Sequence, residues 1–182
     1  MYLIDKGVVL QNLYHLLCLF FANKEIARRS NPENENALLR SLETRFFVAE
    51  ASRLLIEVAV AVRVIDDQMK KRPQGSAERK QYEAIKAKVD HYEFGLFDEL
   101  NLDLRQTCNK IIHSDVMEPH SSPGVEGHEL DYGYRYGEDE KSIDWEHFNG
   151  FVRLAGTDRG KEWFVLLDLE VFVSAVYELL AA

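Results

Sequence analysis

Between Pro32 and Pro73 the chain runs through forty residues without a glycine or a proline. Ala, Leu, Glu and Arg dominate the first half of that run, and all are good helix formers. The spacing predicts one helix from about Asn36 to Arg72. Within it, Leu54 to Ile65 reads LLIEVAVAVRVI, with only Glu57 and Arg63 charged. A helix that apolar needs cover on several sides, which puts it at the centre of any fold the chain adopts. At 1.5 Å per residue it is about 50 Å long, more than the core of a domain this size spans. Such a helix either kinks or carries one end out to a second subunit.

The remaining elements arrange themselves around this rod. Asp5 caps a first helix, about Lys6 to Asn23, whose apolar residues recur at three and four. Ser30 to Asn34 is a polar turn containing Pro32. After Pro73-Gln74-Gly75, Ser76 caps a third helix to about Asp90, with Tyr82, Ile85 and Val89 as a thin inner face. A connection surrounds Gly95, and Asp98 opens a fourth helix ending near His113. From Asp115 to Asp144 the periodicity dissolves into a loop, in which Tyr132, Tyr134 and Tyr136 alternate with Gly133, Arg135 and Gly137 as a short edge strand. Asn149 to Ala155 and Glu162 to Leu167 are strand-like, and Gly156 to Gly160 between them is turn chemistry, so the pair is read as a β-hairpin. Asp168 caps a final helix. The expected fold is mainly α: a helical bundle with a C-terminal β-hairpin and terminal helix. Residues 1–115 form the bundle, and residues 116–182 pack on it within one compact domain.

Length and charge limit what such a domain does. The chain has 182 residues and a formal net charge of −9. An acidic balance argues against tracking a long phosphate backbone, since each phosphate contact calls for Lys or Arg. The charge is uneven: Lys70 to Lys88 holds seven basic residues and Asp115 to Glu140 eight acidic ones. The first is a solvated face or one pole of a dipole that steers an anion. The second is a solvated loop or a surface that recruits a protein partner. Gln11, Asn12 and His15 interrupt the apolar stretch Val8 to Phe21, and Asp5 stands where a basic leader would begin. No membrane span and a cytoplasmic location are expected, with Cys18 and Cys108 reduced.

The segment Leu104-Arg105-Gln106-Thr107-Cys108-Asn109-Lys110-Ile111-Ile112-His113 carries the chemistry. Arg105, Asn109 and His113 are spaced i, i+4 and i+8, so they share one stripe of a helix. Guanidinium, amide and imidazole in a row suit a phosphodiester: Arg neutralises it, Asn orients it, and His exchanges a proton near neutral pH.

At this segment the sequence resembles the HEPN superfamily, small helical-bundle domains of which many are metal-independent ribonucleases or antitoxin-linked proteins of phage defence. The resemblance rests on Asn109-x-x-x-His113 at the end of a bundle helix and covers about residues 1 to 115. Where the family has Arg directly before Asn, this chain has Cys108, with Arg105 one turn earlier. The resemblance implies a homodimer whose two motif helices meet in one composite site. It further implies attack by the RNA 2′-hydroxyl without metal or cofactor, within a toxin–antitoxin or phage-defence system. His113 would then be the general acid or base, Arg105 the stabiliser of the anionic transition state, and Asn109 the positioning group. An RNA-binding role without cleavage uses the same row.

The alternative from the residues alone is a non-catalytic interaction or dimerisation module. His113 then simply ends a helix and meets its dipole, and Arg105 and Asn109 are solvated or paired with Glu50 or Glu57 of the long helix. Glu43, Glu50 and Glu57 with Arg53 are read as an ion-paired face or a polar lining. His113, Asp115, His120 and His128 match no tight metal spacing. Ser114 makes no triad with its chain neighbours. Cys108 is read as a small buried residue, and no phosphate-binding glycine loop is present.

Overall fold

The computed structural model describes residues 4–30, 37–96, 101–123 and 146–181. Helix α1 (Lys6–Arg29) starts where the Asp5 side chain accepts a hydrogen bond from the Gly7 amide at 2.8 Å. It runs past Asn23 to a cap at Ser30, and buries Val9, Leu13, Leu16, Phe20, Asn23 and Ala27, alternately four and three apart. The expected end at Asn23 was too early because Asn23 is itself a core residue. Its amide donates to the Glu43 carboxylate, and its carbonyl accepts from the Phe148 amide at 2.5 Å.

Helix α2 (Ala37–Lys71) is the long rod, 35 residues without a break. Leu54, Leu55, Val58 and Ala59 are fully buried, so its middle is the axis of the core. Its beginning is not: from Leu38 to Ala49 only Glu43 and Phe47 are buried. Over these three turns the helix packs on one side only, through Glu43 and Phe47 against Asn23 and Phe20 of α1. Helix α3 (Ala77–Val89) is capped by Ser76, as its sequence predicts.

A four-stranded antiparallel sheet closes the core, ordered β1 (Gly95–Leu96), β4 (Lys161–Asp168), β3 (Glu146–Asp158), β2 (Val116–Pro123). The β3–β4 hairpin is as expected, and its turn uses Arg159 and Gly160, both at positive φ. The sheet is larger than a hairpin for two reasons. The start of the segment read as a loop forms β2, because its two prolines tolerate an edge position and a register shift between Pro119 and Ser121 absorbs the misfit. On the other edge Gly95 pairs with Leu167, and a Cβ there would lie 2.0 Å from the Leu166 carbonyl oxygen. The Tyr132, Tyr134 and Tyr136 strand and the acidic residues Glu126 to Asp144 lie outside the described residues.

Helix α5 (Leu169–Ala181) follows directly, with the Asp168 carboxylate accepting from the Val171 amide at 3.1 Å. Helices and sheet share one apolar cluster that includes Leu16, Leu55, Ile111, Leu154, Leu167 and Phe172. The fold is mainly α, with the sheet covering one side of the helices. No helix among the described residues is long and apolar enough to cross a membrane.

Candidate functional site on the fourth helix

Helix α4 (Leu104–Ile112) begins later than Asp98 because Asp103 makes the better cap. The Asp103 carboxylate accepts from the Gln106 amide at 2.7 Å, and the Gln106 side chain accepts from the Asp103 amide at 2.9 Å. This reciprocal pair closes two of the four orphan donors of the first turn. Leu104, Thr107, Cys108 and Ile111 face inward and set the opposite face of the helix.

Arg105 does not face solvent alone. Its guanidinium forks onto two consecutive carboxylates of α2, donating to Asp66 and lying 2.8 Å from Asp67. The expected partners Glu50 and Glu57 are instead held by Arg53, 2.5 and 2.6 Å away. The difference is one of placement: α4 crosses α2 near its C-terminal end, about two and a half turns beyond Glu57 and more than four beyond Glu50. Asp66 is buried, and it also receives Lys70 at 2.9 Å and the Tyr82 hydroxyl at 3.2 Å. Burial pushes the Asp66 carboxyl up, but the hydrogen bonds and charges of Lys70 and Arg105 outweigh it and hold the group below the usual carboxylate range. Its own burial, and then the same carboxylate, raise the Tyr82 hydroxyl far above the usual phenol range.

One turn on, the Asn109 side-chain oxygen is buried without a hydrogen-bond partner among the described residues. The Nε of Arg63 is in the same condition. Cys108 is buried and its thiol is pushed up to about 12, chiefly by burial, with the Arg63 charge opposing. Such a thiol is inert as a nucleophile.

His113 is the C-cap. Its amide donates to the Asn109 carbonyl at 3.0 Å and its side chain is exposed. Gly156 lies close beneath the His113 carbonyl, and a Cβ there would stand 3.0 Å from that oxygen and 2.6 Å from the Trp163 ring. The Lys110 ammonium sits 4.0 Å from the centre of that ring.

Of the row Arg105, Asn109, His113, only the last member is exposed, and Arg105 and Asn109 are half-buried. The first is clamped to α2 and the acceptor of the second points inward. The residue that sequence reasoning missed is Asp66. Its signal was present: a carboxylate pair, Asp66-Asp67, directly after the most apolar run of the chain.

Elsewhere, charges read as a solvated basic face are largely paired with acidic neighbours. In the basic run, Lys70 pairs with Asp66, Arg72 with Glu78, Arg79 with Glu83, Lys86 with Asp90 and Lys88 with Glu178. Glu43, Glu50 and Glu57 are likewise an ion-paired face, turned to α1 through Asn23 and Asn12. His120 contacts Asn149 at 3.0 Å, and among the described residues no three His, Cys, Asp or Glu side chains gather as a metal site. No family model matches this chain, and no curated protein or solved structure is found to be similar to it.

Proposed function

We propose that the chain is a helical interaction module whose working surface is the outward face of α2. The observation that carries this reading is the exposure of large apolar side chains on one helix. Leu42 is 60% exposed, Phe46 53%, Ile56 40% and Val60 42%. Apolar groups strung along one face cost free energy in water and mark a surface built to be covered. The clamped state of Arg105 supports the same reading, because a guanidinium held by two carboxylates has little charge left for a phosphate. The chain then works in the cytoplasm, where Cys18 stays a thiol.

A second reading keeps the RNA-directed activity that the HEPN resemblance implies, with His113 as its acid or base. The exposure of His113 at the helix end favours it. One experiment separates the two. Native extract is fractionated by sedimentation with wild type and Phe46→Glu, and the same purified proteins and His113→Ala are incubated with RNA without metal. The interaction reading expects a particle larger than one chain that shrinks with Phe46→Glu, and no RNA cleavage that depends on His113. A particle of one chain for both proteins, or cleavage lost in His113→Ala, overturns it.

A further inference from the structure

We infer that the occupant of the α2 face is the same face of a second copy, running antiparallel about a two-fold axis level with Ala51. This rests on the interaction reading and names its partner. The exposed positions Leu39, Leu42, Phe46, Ala49, Arg53, Ile56 and Val60 recur alternately three and four apart. That is the seam of a coiled coil, and it runs for three heptads.

The seam carries its own register. Two of its members differ from the rest: Ala49 is the one small residue and Arg53 the one charged residue between Leu39 and Val60. A parallel pair would set Arg53 against the partner's Arg53 and Ala49 against the partner's Ala49. One layer would then be like-charged and the other hollow. The antiparallel pair sets Arg53 against the partner's Ala49, Phe46 against the partner's Ile56, and Leu42 against the partner's Val60. The long Arg53 fills the space beside the small Ala49, and the Phe46–Ile56 and Leu42–Val60 layers are apolar on both sides. Arg53 also enters as an already paired charge, clamped in its own helix between Glu50 and Glu57.

The packing behind the seam gives the second argument. Leu42 and Phe46 belong to the part of α2 backed only by Glu43 and Phe47, whereas Ile56 and Val60 stand on the fully packed middle. Antiparallel pairing lays the thinly backed end of each copy on the packed part of the other. A contact of this kind is isologous and closes at two copies.

The arrangement has a consequence for α4. It crosses α2 at Asp66, about 22 Å along the helix from the two-fold level, so the two copies of α4 stand about 45 Å apart. This dimer does not bring two His113 side chains into one cleft, unlike the composite site that the HEPN resemblance implies.

The test uses the full chain with Cys18→Ser. Sedimentation of the purified protein is expected to show a dimer, and Phe46→Glu/Ile56→Glu is expected to weaken it at least about a hundredfold, since four charges enter the seam. Tyr177→Glu, on the exposed side of α5, is expected to leave the dimer intact. For register, Leu42→Cys/Val60→Cys is oxidised and run on a denaturing gel. The double variant is expected to give a covalent dimer and each single variant none. Cross-linking of Leu42→Cys alone means a parallel pair and overturns the inference. A purified chain that stays monomeric at about 100 µM overturns it too. In that case an extract particle that still shrinks with Phe46→Glu leaves the interaction reading standing with a different partner, and a single-chain particle there removes both.

Discussion

The two ends of α2 share one unbroken helix and similar apolar content, yet their surroundings are opposite. Toward the C-terminal end, Leu54, Leu55, Val58 and Val62 are enclosed, and even the charged Asp66 is buried in a network with Lys70, Tyr82 and Arg105. Toward the N-terminal end, Leu38, Leu42 and Phe46 stand in water, and Phe47 alone of the large apolar residues reaches the core, against Phe20 and Phe148. Helix propensity sets neither outcome. What decides is where the other elements cross, since burial is a property of the neighbours as much as of the residue.

The largest effect is expected at the buried end. Asp66→Ala strands the Tyr82 hydroxyl and leaves Arg105 with Asp67 alone, which should cost about 3–5 kcal/mol, read as a lower denaturant midpoint. Next comes a matched pair of truncations along the same rod. Leu54→Ala opens a cavity in the core and should cost about 2–5 kcal/mol. Leu42→Ala, measured on dilute protein, should shift stability by less than about 0.5 kcal/mol. Equal losses in the two would erase the contrast between the ends.

The smallest effect is the acid limb. Burial raises the Asp66 carboxyl, Lys70 and Arg105 together lower it by more, and the folded state therefore holds this proton less tightly than the unfolded chain does. Its contribution is complete above the ordinary aspartate value of about 3.9 and is lost as pH falls through the lower folded value. Stability followed between about pH 2 and pH 6 should show that slope, and Asp66→Asn should flatten it.

Much of this architecture is written locally. The helix between Pro32 and Pro73, the Ser76 and Asp168 caps, and a turn within Gly156 to Gly160 are decisions made by neighbours in the chain, so spacing reveals them. Strand β2 was hidden because Pro119, Ser121, Ser122 and Pro123 read as loop, and only an edge position beside β3 makes them a strand. At α4 both Asp98 and Asp103 are plausible caps by type. Gln106, three residues after Asp103, was the signal that separates them. The candidate row was correctly spaced along one helix face, but its environment was not legible. Whether Arg105 meets Glu57 or Asp66 depends on where two helices cross, a distance of two or three turns that no local pattern encodes. The thinly packed end of α2 was legible only as excess length.

The outer strands of the sheet set a limit on growth. Strand β1 is two residues long, and β2 carries Pro119, which lacks an amide hydrogen, beside a slipped register. Along β2 an incoming strand finds a broken ladder. Extension of the sheet past that border is therefore disfavoured.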